Sequence, residues 1–134
     1  MLEYVRHKNA TVAIILRKEF SKEGACFFTT NEDTFQFGVL QYEKDKNIQA
    51  HKHIRIKREI DVVCEVLFIQ TGKVEVTFYD GSDKKITSVI LNAGDTILMK
   101  DYGHGFKLLE NSKIIEVKQG PYLGKDKDKE YLNP

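Results

Sequence analysis

The chain has 134 residues, with 21 Lys and Arg against 20 Asp and Glu for a net charge of +1, and 41% of its residues are hydrophobic. That length can bury a hydrophobic core without disulfide or zinc staples, and the balanced charge supplies no global field toward nucleic acid or a membrane surface. The apolar run VAIIL is too short to span a bilayer, no stretch has the layout of a signal peptide, and Cys26 and Cys64 are too few for a disulfide framework, so the expectation is a cytoplasmic protein with two buried free thiols.

In chain order the sequence predicts strand after strand: TVAIILR, FQFGVLQY, VVCEVLFIQ, KVEVTFYD, ITSVILN, DTILMK, GFKLLE and KIIEVKQ. Each is short and rich in Val, Ile, Phe and Thr, which suit a pleated, half-buried surface. Turn residues separate them in QTGK, YDGSDKK, LNAGD, DYGHG, LENSK and QGPY. In YDGSD the Asp-Gly pair is expected to supply the positive φ of a hairpin. No segment sustains a 3.6-residue apolar period; RKEFSKEG comes nearest and is short. Regularly spaced strands without intervening helices predict an all-β sandwich or barrel in one domain. The closing stretch GKDKDKEYLNP, about residues 124–134, reads as a solvated charged tail.

Three of the four histidines stand out. His51 and His53 form an HKH pair, and His104 follows in YGHG. In an extended strand alternate side chains share a face, so His51 and His53 would present two imidazoles to one side. A third imidazole from His104 and a carboxylate from Glu65 would complete an N3O set. Neutral imidazole suits Zn, Fe, Ni or Mn, and a carboxylate offsets the ion's charge. Such a set leaves positions open on a five- or six-coordinate ion, unlike a closed, cysteine-rich structural zinc site.

These residues resemble the two motifs of the cupin superfamily. His51, His53, Glu65 and Gly72 match the first motif, with VLFIQT filling the six places between the glutamate and the glycine. Gly94, Asp95, Gly103 and His104 match the second. The pattern departs in three places: Asp45 stands where a glycine is usual, Lys100 replaces a proline, and the insert IRIKREIDVVC separates His53 from Glu65. The insert leaves Glu59 as a rival carboxylate ligand. The resemblance covers about residues 36–120 and implies a single-domain jelly-roll β-barrel with a divalent transition metal at His51, His53, Glu65 and His104. If Glu65 faces inward, so do Val63, Leu67 and Ile69; if His104 does, so do Phe106 and Leu108.

Fold alone does not decide activity. Candidates for chemistry around the expected metal are Arg58, Glu116, Lys118 and Tyr122. Arg55, Lys57, Arg58 and Lys100 would suit an anionic ligand such as a sugar nucleotide. EVKQGPY and HKHIRIKR resemble segments of small cupins from bacterial surface-polysaccharide gene clusters, which implies a carbohydrate-related small molecule. Three functions remain open: a metal-dependent cupin with the ion as Lewis acid, a metal-free sugar-nucleotide isomerase or epimerase with His51 or His53 as base, and a non-catalytic small-molecule-binding module. Strands apolar on both faces, such as EVLFIQ, imply a homodimer.

Overall fold

A computed structural model describes all 134 residues. Ten strands and one short helix follow in order: β1 Leu2–His7, β2 Ala10–Leu16, β3 Gly24–Phe27, β4 Gly38–Gln41, β5 Glu65–Thr71, β6 Lys73–Tyr79, β7 Lys85–Asn92, β8 Thr96–Met99, β9 Gly103–Leu108, β10 Lys113–Lys118 and α1 Lys125–Asp128. They divide between two compact units, Met1–Phe20 with Val63–Pro134, and Ser21–Val62. The chain is mostly β, as expected, and no helix is long and apolar enough to cross a membrane.

The larger unit is sandwich-like. One antiparallel sheet has the order β1-β2-β8-β5-β10 and the other β7-β6-β9. Strict alternation drives their assembly: Val74, Val76 and Phe78 of β6 are fully buried while the residues between them are not. They share one core with Leu67 and Ile69 of β5, Ala13 and Ile15 of β2, Ile97 and Met99 of β8, and Leu91 of β7. Each of these side chains larger than alanine contributes about 1.5–3 kcal/mol on leaving water. The sheets end at β1 and β10, and at β7 and β9, so no closed barrel forms.

Two turns differ from expectation in mechanism. The β6–β7 hairpin forms, but the positive φ falls at Asp83 (61°) and not at Gly81. The reason is Asp80, whose Oδ1 accepts the backbone N–H groups of Ser82 at 2.8 Å and Lys84 at 3.0 Å, a side-chain substitute for a tight Asp-Gly turn. The β1–β2 hairpin was not expected at all. Its two-residue loop is Lys8-Asn9, both at positive φ (49° and 68°), the conformation of a two-residue hairpin turn that Asn tolerates and Lys does not announce.

The smaller unit contains only the β3–β4 ladder, with Gly24 opposite Gln41 and Phe27 opposite Gly38. Phe28 and Phe37 are buried beside it, their rings edge to face at 5.5 Å. The extended strand geometry assumed for His51 and His53 does not form: residues 51–60 carry no regular structure, and all are exposed. Strand propensity needs a ladder partner to become a strand, and no partner pairs here.

Candidate functional site

Glu65 is the first residue of β5, opposite Met99 of β8 on one side and Lys118 of β10 on the other. It is only 9% exposed and shares its face with the buried Leu67 and Ile69, as strand phase requires. Val63, expected on that face too, is half exposed because it precedes the strand. His104 is the second residue of β9, opposite the buried Phe78 of β6. Phe106 and Leu108 share the inner face, in register with Val76 and Val74, yet they stay exposed because β9 is an edge strand.

Glu65 and His104 thus come from opposite sheets and meet at one end of the sandwich, with His104 Nε2 3.4 Å from Glu65 Oε2. Hydrogen bonding to His104 holds the Glu65 carboxyl below the usual carboxylate range, against the opposing pull of burial. His104 Nδ1 is buried and has no hydrogen-bond partner. A buried polar atom without a partner costs about 1–3 kcal/mol, which marks this imidazole as one with a bond still to make.

Two further candidates face the same interior. On β10, Glu116 lies opposite Leu67 and Lys118 opposite Glu65. Burial, followed by the charge of Glu65, raises the Glu116 carboxyl above its ordinary value. The shift runs opposite to that of Glu65, as expected of two carboxyls that hydrogen-bond to each other. Lys118 ion-pairs through Nζ with Asp128 Oδ2 at 3.3 Å, and that contact raises its pKa. Tyr122, after the cis Gly120–Pro121 bond, is exposed, with its ring centroid 5.8 Å from Lys118 Nζ.

A cleft of about 600 Å³ opens over Glu65 and His104, with Tyr79, Lys100 and Tyr102 on its walls. Its remaining wall is the C-terminal stretch Asp128–Leu132 with Pro134. That stretch is largely exposed, in keeping with its composition, but it is not free of the fold. Leu132 packs on Gly103, where any Cβ would come within 2.6 Å of Leu132 Cδ1. The Asn133 N–H donates to Asp83 Oδ2 at 3.2 Å. Sequence reasoning missed Leu132, and the pairing of Asp128 with Lys118, because the charge run dominates the stretch; the apolar Tyr131-Leu132 within it was the available signal.

The other predicted residues lie in the smaller unit. His51 and His53 are exposed, with ring centroids 5.5 Å apart and the rings edge to face; His51 Nδ1 lies 2.8 Å from the Gln49 carbonyl. The two imidazoles stand together although their segment is not a strand. Arg58 and Glu59 border a depression of about 580 Å³ formed with the 31–36 turn. Arg58 donates to the Ile56 carbonyl at 3.4 Å, and Glu59 pairs with Lys57 at 3.5 Å in full solvent. Of the two rival carboxylates, Glu65 is the one set beside a histidine.

No group of three or more His, Cys, Asp or Glu side chains is gathered around one point. What the structure gives is two side-chain pairs, Glu65 with His104 in the larger unit and His51 with His53 in the smaller. Their chemistry fits a divalent transition metal: imidazoles with an uncommitted nitrogen and an ionised carboxylate. Comparison with protein families, with curated proteins and with solved structures gives no match to this chain.

Proposed function

We propose that this chain is a cupin-like, jelly-roll-type protein that holds a divalent transition metal (Zn, Fe, Ni or Mn) through His51, His53, Glu65 and His104. It would bind or act on a small polar, carbohydrate-related molecule. The observation that carries the reading is the meeting of Glu65 and His104 from opposite sheets, with His104 Nδ1 buried and unpartnered. His51 and His53 join the ligand set on the sequence motif. When bound, the ion would serve as a Lewis acid that polarises a carbonyl or hydroxyl oxygen. The chain's own residues do the rest. The Glu65 carboxylate, held low, supplies charge compensation, Glu116 beside it is shifted the opposite way, and Tyr79 and Tyr102 line the cleft.

The test is metal analysis of protein purified without chelator. Near-stoichiometric metal in the wild type, lost in His104→Ala and in Glu65→Ala but kept in Glu59→Ala, is the expected result. Background metal in the wild type overturns the reading.

The same contact supports a second, metal-free reading. A histidine paired with a carboxylate is the arrangement of a general base, so His104, backed by Glu65, could move a proton in a sugar-nucleotide isomerisation or epimerisation. It predicts solvent deuterium incorporated into substrate by metal-stripped protein; absence of exchange across a sugar-nucleotide panel sinks it. Tight binding without turnover would instead identify a non-catalytic binding module. A cytoplasmic homodimer belongs to the leading reading, supported by Phe68, Ile115 and Val117, which lie exposed on the outer face of β5 and β10. A monomer by light scattering contradicts it.

A further inference from the structure

Lys118 holds an unusual position. It stands on the inner face of β10 directly opposite Glu65, and its side chain is only 25% exposed. Yet Lys118 does not line the cleft; Asp128 does. The carboxylate of Asp128, 18% exposed, takes the lysine ammonium at 3.3 Å. The segment delivering it is weakly attached: α1 is four residues long with no buried residue and no side-chain cap. Beyond α1 its anchors are Leu132 on Gly103 and one exposed hydrogen bond from Asn133. A segment with so few buried contacts opens at low free-energy cost.

We propose that Lys118 is an anion-binding residue of this cleft, and that Asp128 is a built-in competitor occupying it until a ligand's carboxylate or phosphate displaces the C-terminal strap. The carboxylate of Asp128 shows which chemistry the ammonium accepts: a compact anion at ion-pair distance, a point-charge contact that lysine makes with carboxylate or phosphate alike. Displacement moves three things at once. The strap residues Asp128–Leu132 leave one wall of the cleft, the Gly103 surface is uncovered, and Lys118 turns from an internal partner to the ligand. Anionic ligands are thereby selected over neutral ones of the same shape, because a neutral ligand gives nothing in exchange for the broken ion pair. This inference shares the cleft with the metal reading but does not require the ion.

The test is a titration of metal-stripped, full-length protein (passed over a chelating resin) with inorganic phosphate, and separately with acetate, at constant ionic strength. Backbone amide shifts of Gly103 and His104 report binding, and the Leu132 methyl signals report strap release. Saturable phosphate binding is expected, with Leu132 moving toward its solvent-exposed shift as the site fills. Asp128→Asn should bind about threefold tighter, the scale of one partly exposed ion pair. Lys118→Met should lose the response, and Lys118→Arg should keep it and so separate loss of charge from loss of fold. A response to acetate as strong as to phosphate assigns carboxylate ligands, and a stronger phosphate response assigns phosphates. Equal affinities in wild type and Asp128→Asn, or an undiminished response in Lys118→Met, overturns the proposal. Binding that persists in the stripped protein while the native protein carries no metal leaves this inference standing and removes the metal reading alone.

Discussion

Arg17 reaches from the end of β2 to Asp95 in the β7–β8 turn, Nη1 to Oδ2 at 2.8 Å, and Asp95 is 3% exposed. The same guanidinium grips Glu3 through Nε at 2.6 Å and Nη2 at 3.3 Å, and donates to the Ile90 carbonyl at 2.7 Å. Asp95 in turn accepts the backbone N–H groups of Lys18 at 3.0 Å and Asn92 at 2.8 Å. One carboxylate therefore ties the end of β2 to the turn that leads into β8. This places Asp95, which follows Gly94 in the LNAGD turn, in a structural role away from the cleft. Asp95→Ala should destabilise the fold by about 3 kcal/mol, because it leaves two backbone N–H groups without their acceptor and removes the buried partner of a guanidinium that then keeps only Glu3 and the Ile90 carbonyl. Urea unfolding at neutral pH measures it, and a loss below about 1 kcal/mol would contradict the assignment.

The Glu3 arm of this network carries a pH dependence. Arg17, first by hydrogen bond, holds the Glu3 carboxyl below its ordinary value. A group whose folded pKa is depressed stabilises the fold above its unfolded pKa, about 4.3 for Glu, and loses that contribution as pH falls through the folded value. Glu3→Gln should therefore be less stable than wild type at pH 7, and the gap should close below about pH 4. The Glu3 side chain is 37% exposed, so solvent screening limits the gap to under about 1 kcal/mol. Paired urea titrations from pH 7 to pH 3 check it; a gap constant with pH refutes it.

The glycines of the two motifs are separable by what their missing side chains would meet. Gly72, at φ 94°, closes the β5–β6 turn so tightly that a Cβ would collide with Ser112 and the Asn111 carbonyl. Gly94, at φ 93°, faces only the flexible side chain of Lys18. Both substitutions carry the strain of a positive φ, about 1 kcal/mol or more, but only Gly72→Ala must also move backbone. Gly72→Ala should cost about 3 kcal/mol and Gly94→Ala about 1 kcal/mol in thermal or urea unfolding. The reverse order would mean that the Ser112 loop yields more easily than the Lys18 side chain.

What the sequence made legible is what alternation and turn chemistry control. β6 through β8 lie close to where KVEVTF, ITSVILN and TILM put them, since a one-residue slip would turn Val74, Val76 and Phe78 to solvent. The inward phase of Glu65, Leu67 and Ile69 follows from the same period. β1 escaped notice because Lys8-Asn9 is a weak written form of its turn. The extended geometry assumed for His51 and His53 failed for the opposite reason: the alternation is real, but no edge pairs with it. Composition could not show that Leu132 anchors a charged tail, because one apolar contact on a glycine has no period. The Glu65–His104 contact depends on two sheets facing each other, and residues 39 positions apart signal that only through the resemblance of their spacing to a motif pair, not through local pattern.

Functional and structural roles at the cleft can be divided by an isosteric change at Glu65. A buried carboxylate held for ligand chemistry contributes little net stability, since desolvation offsets its pairing with His104. Glu65→Gln keeps the shape and can still accept a hydrogen bond from His104 Nε2, while Glu116 no longer faces a charge. The variant should thus unfold within about 1 kcal/mol of wild type yet lose most bound metal, because a neutral amide is a far poorer partner for a divalent ion than a carboxylate. Urea unfolding of the metal-stripped proteins, alongside metal content of the native ones, measures both quantities on the same preparations. If Glu65→Gln instead costs several kcal/mol in the stripped protein, the Glu65–His104 pair is a structural clasp across the sandwich, and the ligand reading of Glu65 fails with it.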